Sequence, residues 1–438
     1  MSDWRQFSIA GLRAAYTARE MTVAQVVALH LAGIDRYDQK LHSYIEVDRE
    51  RARQAAEESD RRYLQGEARA LEGVPVAVKA NIAAAGLEWN AGMQARRGII
   101  ADTDADVVAR LRAAGAVVLG TLNMHEAALG ATTDNPWFGR AMNPHRDGYT
   151  PGGSSGGSGA AVAAGLCVAA LGTDTLGSIR IPAAYNGVYG IKPTSGAVSS
   201  AGLVPLSEKF DAIGPLARSL DDLSAVLDVL MSVSAATPLR RVLVLETLDG
   251  LQCEPSVICA CERALRLLGG WPKSHLKLVD SAAAIRWAGF VVAARELIEH
   301  LGSMRSERAD AISPELTFML GHAESVSAAD VASAEGVIAR TRAALLDGIG
   351  DDGVLVMPTT PQVAFAHTPR PPVTQAAFTS LANIAGLPAL SIPAGTDSNA
   401  LPVAVQLVGQ PKSEAALIEL GRALDAGLGG YVSPDMHI

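Results

Sequence analysis

The segment that decides the fold reads Pro151-Gly-Gly-Ser-Ser-Gly-Gly-Ser-Gly159. It continues directly into the apolar stretch 160–170, which predicts a buried helix and disfavours a flexible linker. A phosphate-binding loop requires a lysine where Ser158 stands. The Gly-x-Ser-x-Gly elbow of serine hydrolases matches twice in overlapping frames, but a true elbow follows a strand, and residues 143–151 do not predict one. We therefore interpret the segment as a tight, buried backbone structure at a helix N-terminus, an arrangement that suits the stabilisation of an oxyanion.

The composition around this segment differs from that of the whole chain of 438 residues. Residues 151–200 contain 11 of the 42 glycines but only three charged residues, Asp174, Arg180 and Lys192. Over the whole chain, 49% of residues are hydrophobic and 19% are charged, which predicts a large core and excludes global disorder. The net charge of −9 argues against a nucleic acid or an anionic membrane as the main partner.

A second serine and a lysine are candidates for nucleophilic chemistry. Ser178 lies in Leu171-Gly-Thr-Asp-Thr-Leu-Gly-Ser178, and a serine hydroxyl attacks only when a base removes its proton. The sequence indicates no His–Asp pair for this task. Lys79, however, ends the apolar run Val74-Pro-Val-Ala-Val78, and apolar surroundings favour a neutral lysine that can act as a base. On residue type alone, a solvated lysine at the end of an edge strand is the commoner case.

Strand-like and helical patterns alternate along the chain, which predicts an α/β protein. Residues 7–66 have helical patterns, with Thr22 as a predicted N-cap. Helices are also predicted over 106–114 and 284–301, and strands over 73–79, 116–120, 241–246 and 353–358. No internal repeat or sharp domain boundary is evident, and the helical residues 225–350 are compatible with a cap over a core.

The sequence also predicts the compartment. Charged side chains within the first twenty residues leave no apolar core for a signal peptide. The longest apolar run, 159–172, is shorter than the ~20 residues of a membrane-spanning helix. Four cysteines are too few for a disulfide scaffold in a chain of this length, and no metal-binding pattern accompanies them. We expect a cytoplasmic protein with reduced thiols, without membrane attachment and without a metal.

Further motifs accompany the three segments around Lys79, Ser154 and Ser178. They are Gly120-Thr-Leu-Asn-Met-His-Glu126, Asn143-Pro144, Gly190-Ile-Lys-Pro-Thr194, Gly214-Pro215, Asn383-Ile-Ala-Gly-Leu-Pro-Ala-Leu-Ser-Ile-Pro393 and Leu401-Pro-Val-Ala-Val-Gln-Leu-Val-Gly409. In this order and at these separations, the set resembles the amidase signature family, whose hallmark is a Ser–cis-Ser–Lys triad. The resemblance implies a central mixed β-sheet covered by helices on both faces. It further implies one domain over 1–438, with a helical arm at 1–66 and a variable, largely helical region at 225–350 that shapes the substrate pocket.

The resemblance also implies a role for each site residue. Ser178 matches the nucleophile, Ser154 the bridging serine after a cis peptide bond, and Lys79 the base that draws the proton from Ser178 through Ser154. Backbone N–H groups are implied to form an oxyanion hole at Thr175, Leu176, Gly177 and Ser178. Supporting hydrogen-bonding roles fall to Ser155, Asp174 and Arg180, and a place near the substrate falls to Ala128. We interpret His125 as a structural residue rather than a base.

The implied activity is the hydrolysis of a linear amide through a seryl acyl-enzyme, with a small-molecule substrate and no metal or organic cofactor. Three alternatives stay open. The first is an amidotransferase A-type subunit that supplies ammonia from glutamine or asparagine to partner subunits. The second is a hydrolase of small ureides such as biuret or allophanate, and the third is a non-catalytic binding protein on the same scaffold. We expect the protein to form a homodimer, the commonest oligomeric state of soluble proteins that assemble.

Two positions depart from the family pattern. Ala80 stands where aspartate usually follows the lysine, and Leu176 stands where a second glycine usually precedes the Gly-Ser pair of the nucleophile loop. Bulkier residues than usual also follow the lysine strand, at Trp89, Asn90 and Met93. Since the triad is intact, these changes do not indicate loss of activity. We hypothesise that Leu176 narrows the acyl pocket and favours compact substrates.

Overall fold

One mixed sheet of 11 strands organises the described part of the chain, residues 4–232, 238–246 and 251–436 of a computed structural model. Its strands are β1 (Tyr44–Val47), β2 (Pro75–Lys79), β3 (Val117–Leu122), β6 (Ala169–Asp174), β7 (Tyr189–Lys192), β8 (Ala212–Ala217), β9 (Arg241–Leu245), β10 (Lys273–Leu276), β11 (Gly353–Pro358), β12 (Ala389–Thr396) and β13 (Pro402–Val408). A separate ribbon pairs β4 (Asp134–Asn135) with β5 (Gly139–Arg140). The sheet order is β1-β3-β2-β6-β8-β7-β12-β13-β11-β9-β10.

The sheet combines parallel and antiparallel pairs. Strand β2 runs parallel to both β3 and β6, and β9 runs parallel to both β10 and β11. The other pairs are antiparallel. Because β2 and β6 are parallel, with Val78 opposite Leu171, their carboxyl ends lie side by side. This register brings Lys79 close to the residues that end β6.

Helices cover both faces of the sheet. They are α1 (Ile9–Thr17), α2 (Val23–Leu41), α3 (Arg49–Gln65), α4 (Asp106–Ala113), α5 (Gly156–Ala163), α6 (Arg180–Asn186), α7 (Leu220–Leu230), α8 (Pro255–Leu267), α9 (Ala282–Leu301), α10 (Met304–Glu307), α11 (Pro314–Ser325), α12 (Ala328–Ile349), α13 (Thr379–Ala385) and α14 (Glu414–Leu428). Strand β11 shows the two-sided burial directly. Val354 and Val356 belong to one core and Leu355 and Met357 to the other, as the two-residue period of a strand requires. The predicted α/β fold with a covered mixed sheet is confirmed.

The N-terminal arm is helical except at one place. Thr22 caps α2 and forms a capping box with Gln25, as predicted for this N-cap. Between α2 and α3, however, Tyr44–Val47 forms strand β1, which pairs antiparallel with β3. A purely helical interpretation of 7–66 is therefore wrong here, because four residues of local pattern do not reveal pairing with a strand some 70 residues later.

The apolar stretch 160–170 is also not one helix. Helix α5 ends at Ala163, and strand β6 begins at Ala169. Gly165 makes the turn between them with a φ of +73°, and a Cβ there would lie 2.7 Å from Arg5 Cβ. The predicted continuous buried helix is corrected to a buried helix followed by a buried strand.

The region 225–350 is largely helical, as predicted, but it also extends the main sheet. Residues 233–237 and 247–250 lie outside the described residues. Strands β9 and β10 add to the edge of the sheet beyond β11, so this region is not a purely helical cap. In the described ranges, no helix is both long and apolar enough to cross a membrane. The cysteines at 167, 253, 259 and 261 form no disulfide.

Candidate active site

Lys79 ends a strand in which every residue is buried. Its side chain has no solvent exposure, and its Nζ lies 2.7 Å from Ser154 Oγ and 2.7 Å from Thr173 Oγ1. Burial lowers the pKa of Lys79 to about 7, although the carboxylates of Asp211 and Asp174 oppose this effect. The alternative of a solvated lysine on an edge strand is excluded. A lysine with this pKa is partly neutral near pH 7 and can accept a proton.

The glycine–serine segment is a buried turn that leads into α5. The peptide bond between Gly153 and Ser154 is cis, as the family resemblance implied. Helix α5 begins at Gly156, and every residue from 151 to 163 is buried. A Cβ on Gly157 would lie 2.4 Å from the carbonyl oxygen of Asn123, so only glycine fits where these backbones meet. The prediction of a tight backbone structure at a helix N-terminus is confirmed.

Ser154 and Ser178 are held by neighbouring backbone. The N–H of Ser155 donates to the carbonyl oxygen of Ser178 at 3.2 Å, which joins the two serine segments. Ser154 Oγ accepts from Lys79, whereas Ser178 Oγ forms no hydrogen bond with any described residue. Ser178 lines a large apolar cavity and is 8% exposed. The Lys79–Ser154 contact is thus formed, and the Ser178 hydroxyl is unengaged at the cavity wall.

Ser155, for which the resemblance implied a supporting role, forms two side-chain hydrogen bonds with Thr173. Its hydroxyl donates to the carbonyl oxygen of Thr173 at 3.1 Å and accepts from the Thr173 N–H at 3.2 Å. These two bonds attach the start of α5 to the end of β6. Ser154 and Thr173, which both contact Lys79, are therefore fixed relative to each other.

The nucleophile loop 175–178 is shaped by the Asp174 carboxylate. Asp174 accepts from the N–H of Gly177 at 2.7 Å and from the N–H of Ile179 at 3.1 Å. The Gly177 N–H is therefore directed to Asp174 in this structure, which corrects its implied place in the oxyanion hole. The N–H groups of Thr175, Leu176 and Ser178 have no acceptor among the described residues. These three remain available for an oxyanion.

Asp174 and Arg180 form a fully buried ion pair. Arg180 Nε donates to Asp174 Oδ2 at 3.0 Å and Nη2 donates to Oδ1 at 2.9 Å, a bidentate contact in which neither side chain is exposed. Burial alone would raise the pKa of Asp174, but the Arg180 guanidinium and the Asn383 amide lower it to about 2. Arg180 also donates to Asn383 Oδ1 and Gln406 Oε1, so each nitrogen of the buried guanidinium donates at least one hydrogen bond.

Several site residues were not predicted. Thr173 contacts Lys79 directly and lies within the motif that ends in Ser178, so its position in that motif was the available signal. Asn383 and Gln406 likewise lie within the two C-terminal motifs. Asp211 belongs to no motif, yet it accepts from the Thr175 hydroxyl and from the N–H of Leu206 at 2.9 Å. Burial raises the pKa of Asp211 to about 6.

The cavity in front of Ser178 has a volume of about 340 Å³. Its walls are mostly apolar or aromatic, with Leu176, Trp287, Phe290 and Met319 among the lining residues. Ala128, for which the resemblance implied a place near the substrate, also lines the cavity. The polar side chains of the lining include His125, Arg286, Glu315 and His322. A cavity of this size accepts a small organic molecule.

His125 is buried against this cavity. Its Nδ1 lies 3.4 Å from Thr132 Oγ1, and its Nε2 lies 3.7 Å from Glu315 Oε1. Burial lowers the pKa of His125 to about 4, so the ring is neutral near pH 7. The ring forms no hydrogen bond with Ser154 or Ser178, whereas the backbone N–H of His125 donates to the carbonyl oxygen of Ser154 at 3.0 Å.

The two departures from the family pattern are accommodated by apolar packing. Ala80 is fully buried in the same core as Met93 and Phe210. Leu176 projects towards Gly289 of α9, where an added Cβ would lie 2.9 Å from Leu176 Cδ2. The bulk of Leu176 is thus matched by the absence of a side chain at Gly289. Across residues 4–232, 238–246 and 251–436, no three His, Cys, Asp or Glu side chains are grouped to hold a metal ion.

Replacing Asp174 by alanine is expected to destabilise the protein strongly. Asp174→Ala leaves the Arg180 guanidinium buried and unpaired and removes the acceptor of the Gly177 N–H, so the free energy of unfolding should fall by ~3–5 kcal/mol. The matched control is Asp221→Ala, which breaks an ion pair with Arg422 whose side chains are 81% and 43% exposed. This control should cost no more than about 1 kcal/mol. Urea unfolding measures both, and equal losses would contradict the structural role of the buried pair.

Comparisons with known proteins identify the family of the chain. The family model described as Amidase matches residues 25–248 and 272–418. The A subunit of the glutamyl-tRNA(Gln) amidotransferase of Anaeromyxobacter dehalogenans (strain 2CP-C) is 36% identical, over 97% of each chain.

Solved structures extend the agreement to the fold. Peptide amidase from Stenotrophomonas maltophilia is 29% identical over 99% of each chain, with a TM-score of 0.83. A chain from a vestigial complex that reveals the evolutionary origins of an s-triazine catabolic enzyme is 31% identical, with a TM-score of 0.89. The alignment covers 98% of this chain and 100% of that one. The protein therefore belongs to the amidase (amidase signature) family and is an enzyme that acts on the C–N bonds of amides.

Proposed function

We propose that this protein cleaves an amide through a covalent acyl-enzyme on Ser178, with Lys79 as the base and Ser154 as the bridge. The observation that carries the proposal is the 2.7 Å contact between the buried Lys79 Nζ and Ser154 Oγ. A lysine that is partly neutral near pH 7 can accept the Ser154 hydroxyl proton while Ser154 accepts that of Ser178. Thr173 Oγ1 accepts a hydrogen bond from the same Nζ and holds it in this position.

The reaction then proceeds in two acyl transfers. Ser178 Oγ attacks the amide carbonyl carbon while its proton passes through Ser154 to Lys79. The negative charge on the carbonyl oxygen is stabilised by the free N–H groups of Thr175, Leu176 and Ser178. The C–N bond breaks as Lys79 returns the proton, through Ser154, to the leaving nitrogen. A water molecule, activated by the same relay, then hydrolyses the Ser178 ester.

An amidotransferase A-type subunit is the second candidate, and the amidotransferase relative, identical at 36% of positions, supports it. The first acyl transfer is the same in both functions. They differ in whether the ammonia is released to solution or delivered to partner subunits. Ammonia release by the purified chain from a panel of amides, glutamine, asparagine and biuret separates these functions. Turnover by the chain alone supports a hydrolase, and activity that requires co-purifying subunits supports the amidotransferase.

Labelling with a fluorophosphonate probe tests the assigned roles. We expect wild-type protein to be labelled at Ser178, Ser178→Ala to be unlabelled, and Lys79→Met to be labelled at least 10²-fold more slowly, because the base is lost. Two controls match the burial of the changed groups. Ser158→Ala removes a buried serine that bonds only the carbonyl oxygen of Leu171, and Lys192→Met removes a second fully buried lysine.

Both control variants should keep labelling near the wild-type rate if they fold. Folding is checked by circular dichroism. Failure of folded wild-type protein to react, or equal losses in Lys79→Met and Lys192→Met, would contradict the proposal and support a binding function on this scaffold.

The rate of labelling should depend on pH through Lys79. Below a pKa of about 7 the ammonium form dominates and cannot accept the Ser154 proton. The second-order rate constant should therefore rise about tenfold per pH unit as pH increases towards 7, and level off above it. Stopped-time labelling between pH 5.5 and 8.5 measures this profile, and a flat profile would contradict the role of Lys79.

Leu176 should determine which acyl groups fit. Leu176→Gly removes a side chain between the nucleophile loop and Gly289, so bulky acyl groups should gain kcat/KM relative to compact ones by about tenfold. The measurement compares benzamide-type and acetamide-type substrates in the two proteins. An unchanged ratio would refute the hypothesis that Leu176 narrows the acyl pocket.

A further inference from the structure

One face of helix α9 forms a wall of the cavity in front of Ser178. Arg286, Trp287, Phe290 and Ala293 all line that cavity. These four residues follow one another at intervals of one, three and three positions, which places them on a single face of the helix. Trp287 stacks on Phe290, with ring centroids 5.5 Å apart. The wall is therefore aromatic and apolar, with one guanidinium at its edge.

The Arg286 guanidinium has no hydrogen bond or ion pair with any described residue. Other arginines of the same helical region are paired: Arg305 with Glu324, and Arg340 with Asp280 at 2.8 Å. Arg286 is partly buried, and an arginine remains charged in proteins even where burial lowers its pKa. A partly desolvated cation without a partner is unfavourable unless an anion binds to it. This arrangement points to a ligand rather than to a structural role.

The other polar groups of the cavity do not neutralise Arg286. Glu315 lies 3.7 Å from His125, and the charged groups that affect its pKa are the carboxylates of Asp134 and Glu126, not a cation. His322 contacts the rings of Trp287 and Phe318. Arg286 is therefore available to a group that enters the cavity together with the scissile amide.

We propose that Arg286 binds a carboxylate on the acyl part of the substrate, so that the enzyme prefers amides with an apolar spacer that ends in an anionic group. The inference rests on the proposed attack of Ser178 on the amide carbonyl. The guanidinium matches a carboxylate through two parallel N–H···O bonds. Trp287 and Phe290 contact the spacer, and the nucleophile loop holds the carbonyl. The substrate is anchored at both ends of one cavity.

Matched substrate pairs test this assignment. The pairs are 4-carbamoylbenzoate against 4-methylbenzamide, and glutaramate against pentanamide. We expect wild-type kcat/KM to favour the carboxylate of each pair, and Arg286→Gln to lower this ratio by about 10- to 100-fold, as for the loss of hydrogen bonds to a charged group. Arg286→Lys keeps the positive charge but cannot donate two parallel N–H···O bonds, and it should have an intermediate ratio. The control is Arg295→Gln on the same helix, whose guanidinium bonds the carbonyl oxygen of Ala323 and does not line the cavity.

A ratio that is the same in wild type and Arg286→Gln would overturn the proposal while leaving amide cleavage by Ser178 intact. If no amide of the panel is turned over, 4-carbamoylbenzoate and 4-methylbenzamide are compared as competitors of fluorophosphonate labelling. A carboxylate that protects Ser178 no better than the neutral amide also overturns it. Absence of both labelling and turnover in folded wild-type protein contradicts the proposed function itself, and the assignment of Arg286 with it.

Discussion

The rest of the site depends on keeping one lysine uncharged in the middle of a protein. Lys79 can lose its proton near pH 7 only because it ends a central strand that is buried on both faces. This requirement accounts for the sparse charge and abundant glycine of residues 151–200. Further carboxylates beside Lys79 would favour its ammonium form, and side chains on the glycines would separate the backbones that bring Ser154 to it.

The two carboxylates that remain nearby are each held by fixed partners, although both still favour the ammonium form of Lys79. Asp174 is paired with Arg180, and Asp211 is held by a hydroxyl and backbone N–H groups. Both carboxylates also set the shape of the nucleophile loop, since Asp174 bonds Gly177 and Asp211 bonds Thr175. With the loop held in this shape, the N–H groups of Thr175, Leu176 and Ser178 have no acceptor among the described residues.

The alternating pattern of strands and helices was sufficient to predict the α/β fold, and the family resemblance implied the cis peptide before Ser154 and the proximity of Ser154 to Lys79. Other features depend on contacts between distant segments and left no local pattern. Strand β1 exists because it pairs with β3, and Asp211 enters the site because β8 lies antiparallel to β6. The engagement of the Gly177 N–H by Asp174 depends on the geometry of one turn, which residue types do not specify.

Chemistry and specificity reside in different parts of this fold. The proposed reacting groups are carried by β2, by the turn before α5 and by the loop after β6, and all of them lie in sequence motifs of the family. Part of the cavity wall is carried by α9 and α11, which lie in the region without motifs. Side chains on the cavity face of α9 can change without disturbing the buried lysine, because α9 packs against the helices α11, α12 and α13 and buries other residues such as Ile285 and Ala288. The free guanidinium of Arg286 on this helix thus acts on substrate choice, and amides that carry a carboxylate are the first candidates for the natural substrate.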